Sequence, residues 1–80
     1  MLDETRLKSI ISTILEVDSG EIGEDASSDT IERWDSLRHM NLVLALEDEF
    51  GVSIPDGEAA DITSYKLIRL VLIELLRDGR

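Results

Sequence analysis

Asp35, Ser36 and His39 are the residues whose types could do nucleophilic chemistry. A serine with a histidine one helical turn away and an adjacent aspartate has the parts of a nucleophile, a general base and an orienting acid. The spacing argues against that assembly. Ser36 and His39 stand three apart on one helix, so Asp35 would have to turn both to the helix end and to the imidazole. No Gly-x-Ser-x-Gly elbow surrounds Ser36, so no oxyanion hole is indicated. No residue is therefore expected to be catalytic, and the chain is not read as an enzyme. The plainer role for Asp35 and Ser36 is to satisfy backbone N–H groups at a helix start. The acids between Asp18 and Trp34 suggest a calcium loop, but Gly20 and Gly23 fall in the wrong frames for that pattern. No metal site is expected.

The element that must position Ser36 runs from Ser36 to about Phe50 without Gly or Pro, and Gly51 stands where a left-handed cap belongs. At roughly 100° per residue, Leu42, Val43, Leu46 and Phe50 share one arc, and His39 lies with them. Leu37, Met40 and Leu44 fall near the opposite side, accompanied by Asn41, Glu47 and Asp48. One stripe is enough to close a core. This helix has two.

Asp35-Ser36-Leu37 at the head of such a helix, followed by LVLALEDEFGVSIPD, closely resembles the acyl carrier proteins. The similarity is dense from Trp34 to about Tyr65, and the flanking segments fit the same helical plan. The tripeptide alone is weak. Before an apolar-acidic helix ending in Phe-Gly, with Ile-Pro-Asp shortly after, it is strong.

The resemblance implies that Ser36 carries 4′-phosphopantetheine, placed there from coenzyme A by a separate transferase, with acyl groups held on the arm as thioesters. The position suits an incoming phosphate, because a helix N-terminus presents N–H groups and partial positive charge. For Asp35 the resemblance implies a part in engaging the transferase, beside its role as cap. For Leu37, Met40, Asn41, Leu44, Glu47 and Asp48 it implies recognition of partner enzymes that load, condense or transfer acyl groups. Packing under the long loop is the other reading of Leu37, Met40 and Leu44. A cavity bordered by Leu46 and Phe50 could receive the acyl chain. Carriers of primary fatty-acid synthesis usually have a small residue before the motif and acids soon after it. Here stand Trp34, Arg38, His39 and Asn41, which brings polyketide, peptide, lipid or glycan pathways in alongside fatty-acid synthesis.

Composition sets outer bounds. Eighty residues make one small domain, residues 1–80, with a core barely large enough to stand alone. Eighteen acids against eight Lys and Arg give a formal charge of −10. That excludes ordinary binding to a phosphate backbone and favours partners with basic surfaces, in associations that weaken with salt. No base occurs between Arg38 and Lys66, an interval holding Glu47, Asp48, Glu49, Asp56, Glu58 and Asp61. Without cysteine the chain has neither a disulfide framework nor a thiol of its own. The N-terminus lacks the pattern of a secretory signal, and the apolar run near the C-terminus is broken by Arg69 and Glu74. A cytoplasmic monomer is expected.

Taken in order, Asp3 caps a first helix, with Leu2 and Leu7 as a hydrophobic staple and Leu7, Ile10, Ile11, Ile14 and Leu15 facing inward. Asp18-Ser19-Gly20 is read as its end. A long loop follows, pinned by Ile22, Ile31 and Trp34. After the second helix, Gly51 to Pro55 connects to a turn or two over Glu58–Asp61. Thr63 or Ser64 caps a last helix, with Tyr65, Ile68, Val71, Leu72 and Leu75 inward and Lys66, Arg69, Glu74 and Arg77 outward. The fold class is all-α: three longer helices and one short one in a small bundle. The reading from another class is a small acidic interaction module that never carries a prosthetic group.

Overall fold

A computed structural model describes residues 2–77, so the ends of the expected 1–80 domain lie outside the described residues. Four α-helices form the predicted bundle: α1 (Glu4–Leu15), α2 (Ser36–Phe50), the short α3 (Asp56–Asp61) and α4 (Tyr65–Arg77). Each start has a local cause. Asp3 accepts the Arg6 N–H at 3.2 Å, and Asp35 accepts the Arg38 N–H at 2.8 Å. Between the two capping candidates for α4, Ser64 does the work, its Oγ accepting the Leu67 N–H at 3.2 Å.

The core is one cluster. Leu7, Ile11 and Leu15 of α1, Leu42 and Leu46 of α2, and Tyr65, Ile68 and Leu72 of α4 are all fully buried. The long loop is anchored as its isolated apolar residues predict, with Ile22, Ile31 and Trp34 buried, and Ala26 joins them. Its backbone is tied to the entry of α4. Ser28 N–H donates to the Thr63 carbonyl and Tyr65 N–H to the Ala26 carbonyl, both at 2.9 Å.

Three expectations need correction. Helix α1 stops at Leu15, before Asp18-Ser19-Gly20. Glu16 takes the left-handed conformation (φ 58°, ψ 45°), and the Val17 N–H returns to the Ser12 carbonyl at 3.0 Å. Val17 packs against the core, so an apolar residue turning inward ends the helix and Gly20 does not. Ser19–Glu21 instead form a 3-10 turn with Asp18 as its N-cap, and the Glu21 carboxylate accepts the Asp18 N–H.

Helix α3 begins at Asp56, two residues before the expected Glu58. Pro55 fixes φ at −57° and its carbonyl accepts the Ala59 N–H at 2.8 Å, while Asp56 and Glu58 suit the positive end of the first turn.

Arg69, expected to face outward, is half-buried and turned to partners on other elements. Its guanidinium pairs with Glu24 of the loop (3.0 Å for Nη2–Oε2) and with Glu4 of α1 (3.2 Å), and it lies over the Tyr65 ring. Tyr65 O–H donates to the same Glu4 carboxylate at 2.8 Å. These bonds hold both carboxyls below their ordinary value, that of Glu4 through Tyr65 first and Arg69 second. Burial, then the Glu4 bond, pushes the Tyr65 phenol up to about 12. The clamp joins α1, the loop and α4, leaving the N-terminus of α2 free of that task.

Candidate functional site at the N-terminus of helix two

The chain reaches α2 through Trp34, which is buried and fixes where Asp35 stands. Asp35 then takes the extended conformation (φ −96°, ψ 177°) that lets its carboxylate cap the helix. One carboxylate oxygen accepts the Arg38 N–H, and the other accepts from the Arg38 guanidinium at 2.9 Å. The backbone bond first, and the guanidinium charge next, hold Asp35 below the usual carboxylate value. Arg38 also reaches Glu16 at 3.4 Å, so the charge beside the helix start is largely internally matched.

Ser36 is the first residue of α2 and is exposed. Beside it opens a hollow of about 340 Å³ walled by Trp34, His39, Met40, Ser28 and Thr63. A primary hydroxyl at a loop-helix junction, with first-turn N–H groups behind it and open space beside it, fits attachment of a phosphate-linked arm.

His39 is half-buried on the core-facing arc, as its helical position predicts. Trp34 Nε1–H donates to its Nδ1 at 3.0 Å, and its Nε2 lies 2.7 Å from the Ala59 carbonyl. An acceptor at Nδ1 and a donor at Nε2 define the neutral Nε2–H tautomer. With both nitrogens engaged elsewhere and Asp35 turned to Arg38, a Ser36–His39–Asp35 relay is not assembled. The sequence signal for this bridge is an indole five residues before a histidine near the start of a core helix.

The second stripe is exposed. Leu37, Met40 and Leu44 are 71%, 65% and 61% accessible, and Asn41 and Asp48 are exposed beside them. Packing under the long loop is thereby ruled out for these three apolar side chains. Glu47 is half-buried, and its carboxylate accepts the Ile54 N–H at 2.7 Å, securing the connector into α3. Asp48, Glu49, Asp56, Glu58 and Asp61 are exposed, and Glu49 pairs with Arg6. Among the described residues no helix is long and apolar enough to cross a membrane.

Comparison with known proteins agrees with this geometry. The sequence model of a family described as phosphopantetheine attachment site matches residues 5–68. The fold is similar to the solution structure of holo acyl carrier protein from Geobacter metallireducens. That match has a TM-score of 0.82 and 25% identity, covering 94% of this chain and 86% of that one. The chain therefore belongs to the phosphopantetheine-attachment family of acyl carrier proteins, whose prosthetic group is covalently held 4′-phosphopantetheine.

Proposed function

We propose that Ser36 is the attachment residue, and that the chain presents acyl groups to separate enzymes and catalyses nothing itself. The observation that carries this is the exposed Ser36 hydroxyl, fixed by the Asp35 cap at the first turn of α2, within the stretch matching the family. When bound, the group supplies a terminal thiol that holds acyl cargo as a thioester. The chain's residues supply the rest. In the active site of a transferase Ser36 Oγ attacks the phosphorus of coenzyme A that bears the pantetheine. The phosphodiester forms as the pyrophosphate bond breaks, adenosine 3′,5′-bisphosphate leaves, and the transferase takes up the hydroxyl proton. The first-turn N–H groups and helix dipole favour the phosphate's charge. Asp35 holds the turn that presents the hydroxyl, and engages the transferase.

Leu37, Met40 and Leu44 form the docking stripe, with Asn41, Asp48 and the accessible part of Glu47 at its edge. Because Arg38 matches Asp35, the first turn offers partners an apolar surface, while Asp48, Asp56 and Glu58 further along are exposed and have no ion-pair partner among the described residues. Partners with an apolar groove and a basic rim fit that layout. Trp34, Arg38, His39 and Asn41 depart from the pattern usual in housekeeping fatty-acid synthesis, so a dedicated polyketide, peptide, lipid or glycan pathway stands beside fatty-acid synthesis as the setting. As a carrier the chain would work as a monomeric single domain in the cytoplasm.

The test is to treat the purified chain with coenzyme A, magnesium and a broad-specificity transferase, then digest it with trypsin. Cleavage after Arg33 and Arg38 gives the peptide Trp34–Arg38, whose one hydroxyl-bearing side chain is Ser36. That peptide should gain the phosphopantetheinyl mass. Its appearance on any other peptide would overturn the assignment.

A further inference from the structure

The bridge through His39 joins three segments: Trp34 in the loop, His39 in α2 and Ala59 in α3. Helix α3 has six residues and buries none of them completely. So short a helix does not stand by its own ladder. What holds it is the buried Ile54 and Ile62 at its two ends, half-buried Ala59, and the His39 bond at its middle.

Two hollows meet at this bridge. One of about 340 Å³ adjoins Ser36; the other, of about 460 Å³, runs along the α2–α3 seam over Val43, Leu44, Ile54 and Ala59. His39, Met40 and Ala60 line both. Leu46 of α2 and Ile62 after α3 belong to the core and are closed to solvent. An apolar group tethered at Ser36 gains by leaving water, and the hollows offer it apolar walls at Trp34, Met40, Val43, Leu44 and Ile54. Going deeper requires parting α3 from α2. That would break the His39–Ala59 bond and leave the imidazole Nε2–H and the Ala59 carbonyl short of partners in a half-buried place, a penalty that an alkyl chain cannot offset with any hydrogen bond of its own.

We propose that the His39 bridge is the latch on the α2–α3 seam, keeping cargo borne at Ser36 in the surface hollows and out of the core. The latch selects for acyl groups short or polar enough to need no internal chamber. His39 is on this account a positioning residue. The cargo half of the inference rests on the reading of Ser36; the latch itself does not.

Two variants test it. His39→Leu keeps apolar bulk and loses both bonds, whereas His39→Gln retains an acceptor and a donor on one planar group. In the apo protein, the Ala59 and Ile62 amides, which bond within α3 to Pro55 and Glu58, should exchange at least tenfold faster in His39→Leu. They should stay within about threefold of wild type in His39→Gln. Equal exchange in wild type and His39→Leu would show that the bridge holds nothing and would overturn the proposal. After loading with an octanoyl arm, wild-type amide shifts should be confined to Met40, Val43, Leu44 and Ala59. In His39→Leu they should extend to Leu46, Ile62 and Ile68. Core shifts of equal size in wild type would overturn the exclusion of cargo. A chain that accepts no arm at Ser36 would remove the carrier reading, and amide exchange would still decide the latch.

Discussion

Leu44 and Leu46 sit two positions apart on α2, so one helix provides a matched comparison between a core stripe and a docking stripe. Leu46 is fully buried, and Leu46→Ala removes apolar atoms from the centre of the core and leaves a cavity. Substitutions of this kind cost about 2–5 kcal/mol. In a domain of this size about 3 kcal/mol corresponds to a fall in Tm of roughly 12–24 °C. Leu44 is 61% accessible, so only about two-fifths of it is shielded. With full burial of a leucine contributing about 1.5–3 kcal/mol, the corresponding loss for Leu44→Ala is roughly 1 kcal/mol or less. Urea denaturation of both variants, followed by far-ultraviolet circular dichroism, measures the difference directly. Loading kinetics with the cognate enzyme should show the reverse order, because apolar anchors dominate small interfaces. Equal destabilisation by the two substitutions, with loading of the Leu44 variant unchanged, would refute the separation of stripes.

Acid should weaken the fold through the Arg69 clamp. The Glu4 and Glu24 carboxyls are lowered in the folded state from an ordinary 4.5, so their contribution is complete above that value and is lost as pH falls through the folded values. An Arg69→Met variant should show a flatter loss of Tm below pH 4.5 than wild type, and identical acid profiles would count against the clamp. Self-repulsion from a net charge of −10 should make Tm rise with added salt, and more steeply with millimolar divalent cations near Asp48, Glu49 and Asp56. Indifference to both in a melting series would show that repulsion does not limit stability. Glu16 holds φ at 58°, so Glu16→Gly should gain about 0.5–1 kcal/mol in denaturant titration, after the greater freedom of glycine in the unfolded chain is set against the relieved strain. A loss would mean that the Glu16 contacts to Arg33 and Arg38 outweigh that relief.

What could be read from the sequence was whatever a few adjacent residues decide. Asp3, Asp35 and Gly51 act on their own turns, and each stands at the helix boundary that its chemistry implies. The two stripes of α2 were legible because helical periodicity alone separates Leu42 and Leu46 from Leu37, Met40 and Leu44. Arg69 was not, since its partners Glu24 and Glu4 lie 45 and 65 residues away and an arginine on a helix flank reads as solvated. For the end of α1, Gly20 offers the stronger local signal, whereas the packing of Val17 against the core decides the matter. Glu47 reads as one more acid of a partner-facing edge, although its carboxylate secures the Ile54 N–H across the connector. Periodicity gives the arc of His39, but its bridge depends on where Trp34 and Ala59 arrive in space.

Intact mass after incubation with coenzyme A and a broad-specificity transferase tests the central claim most directly. The account predicts that wild type gains one phosphopantetheinyl group and that Ser36→Ala gains none while keeping its helical circular dichroism. A wild-type chain of unchanged mass, or a folded Ser36→Ala variant that still acquires the group, would contradict it.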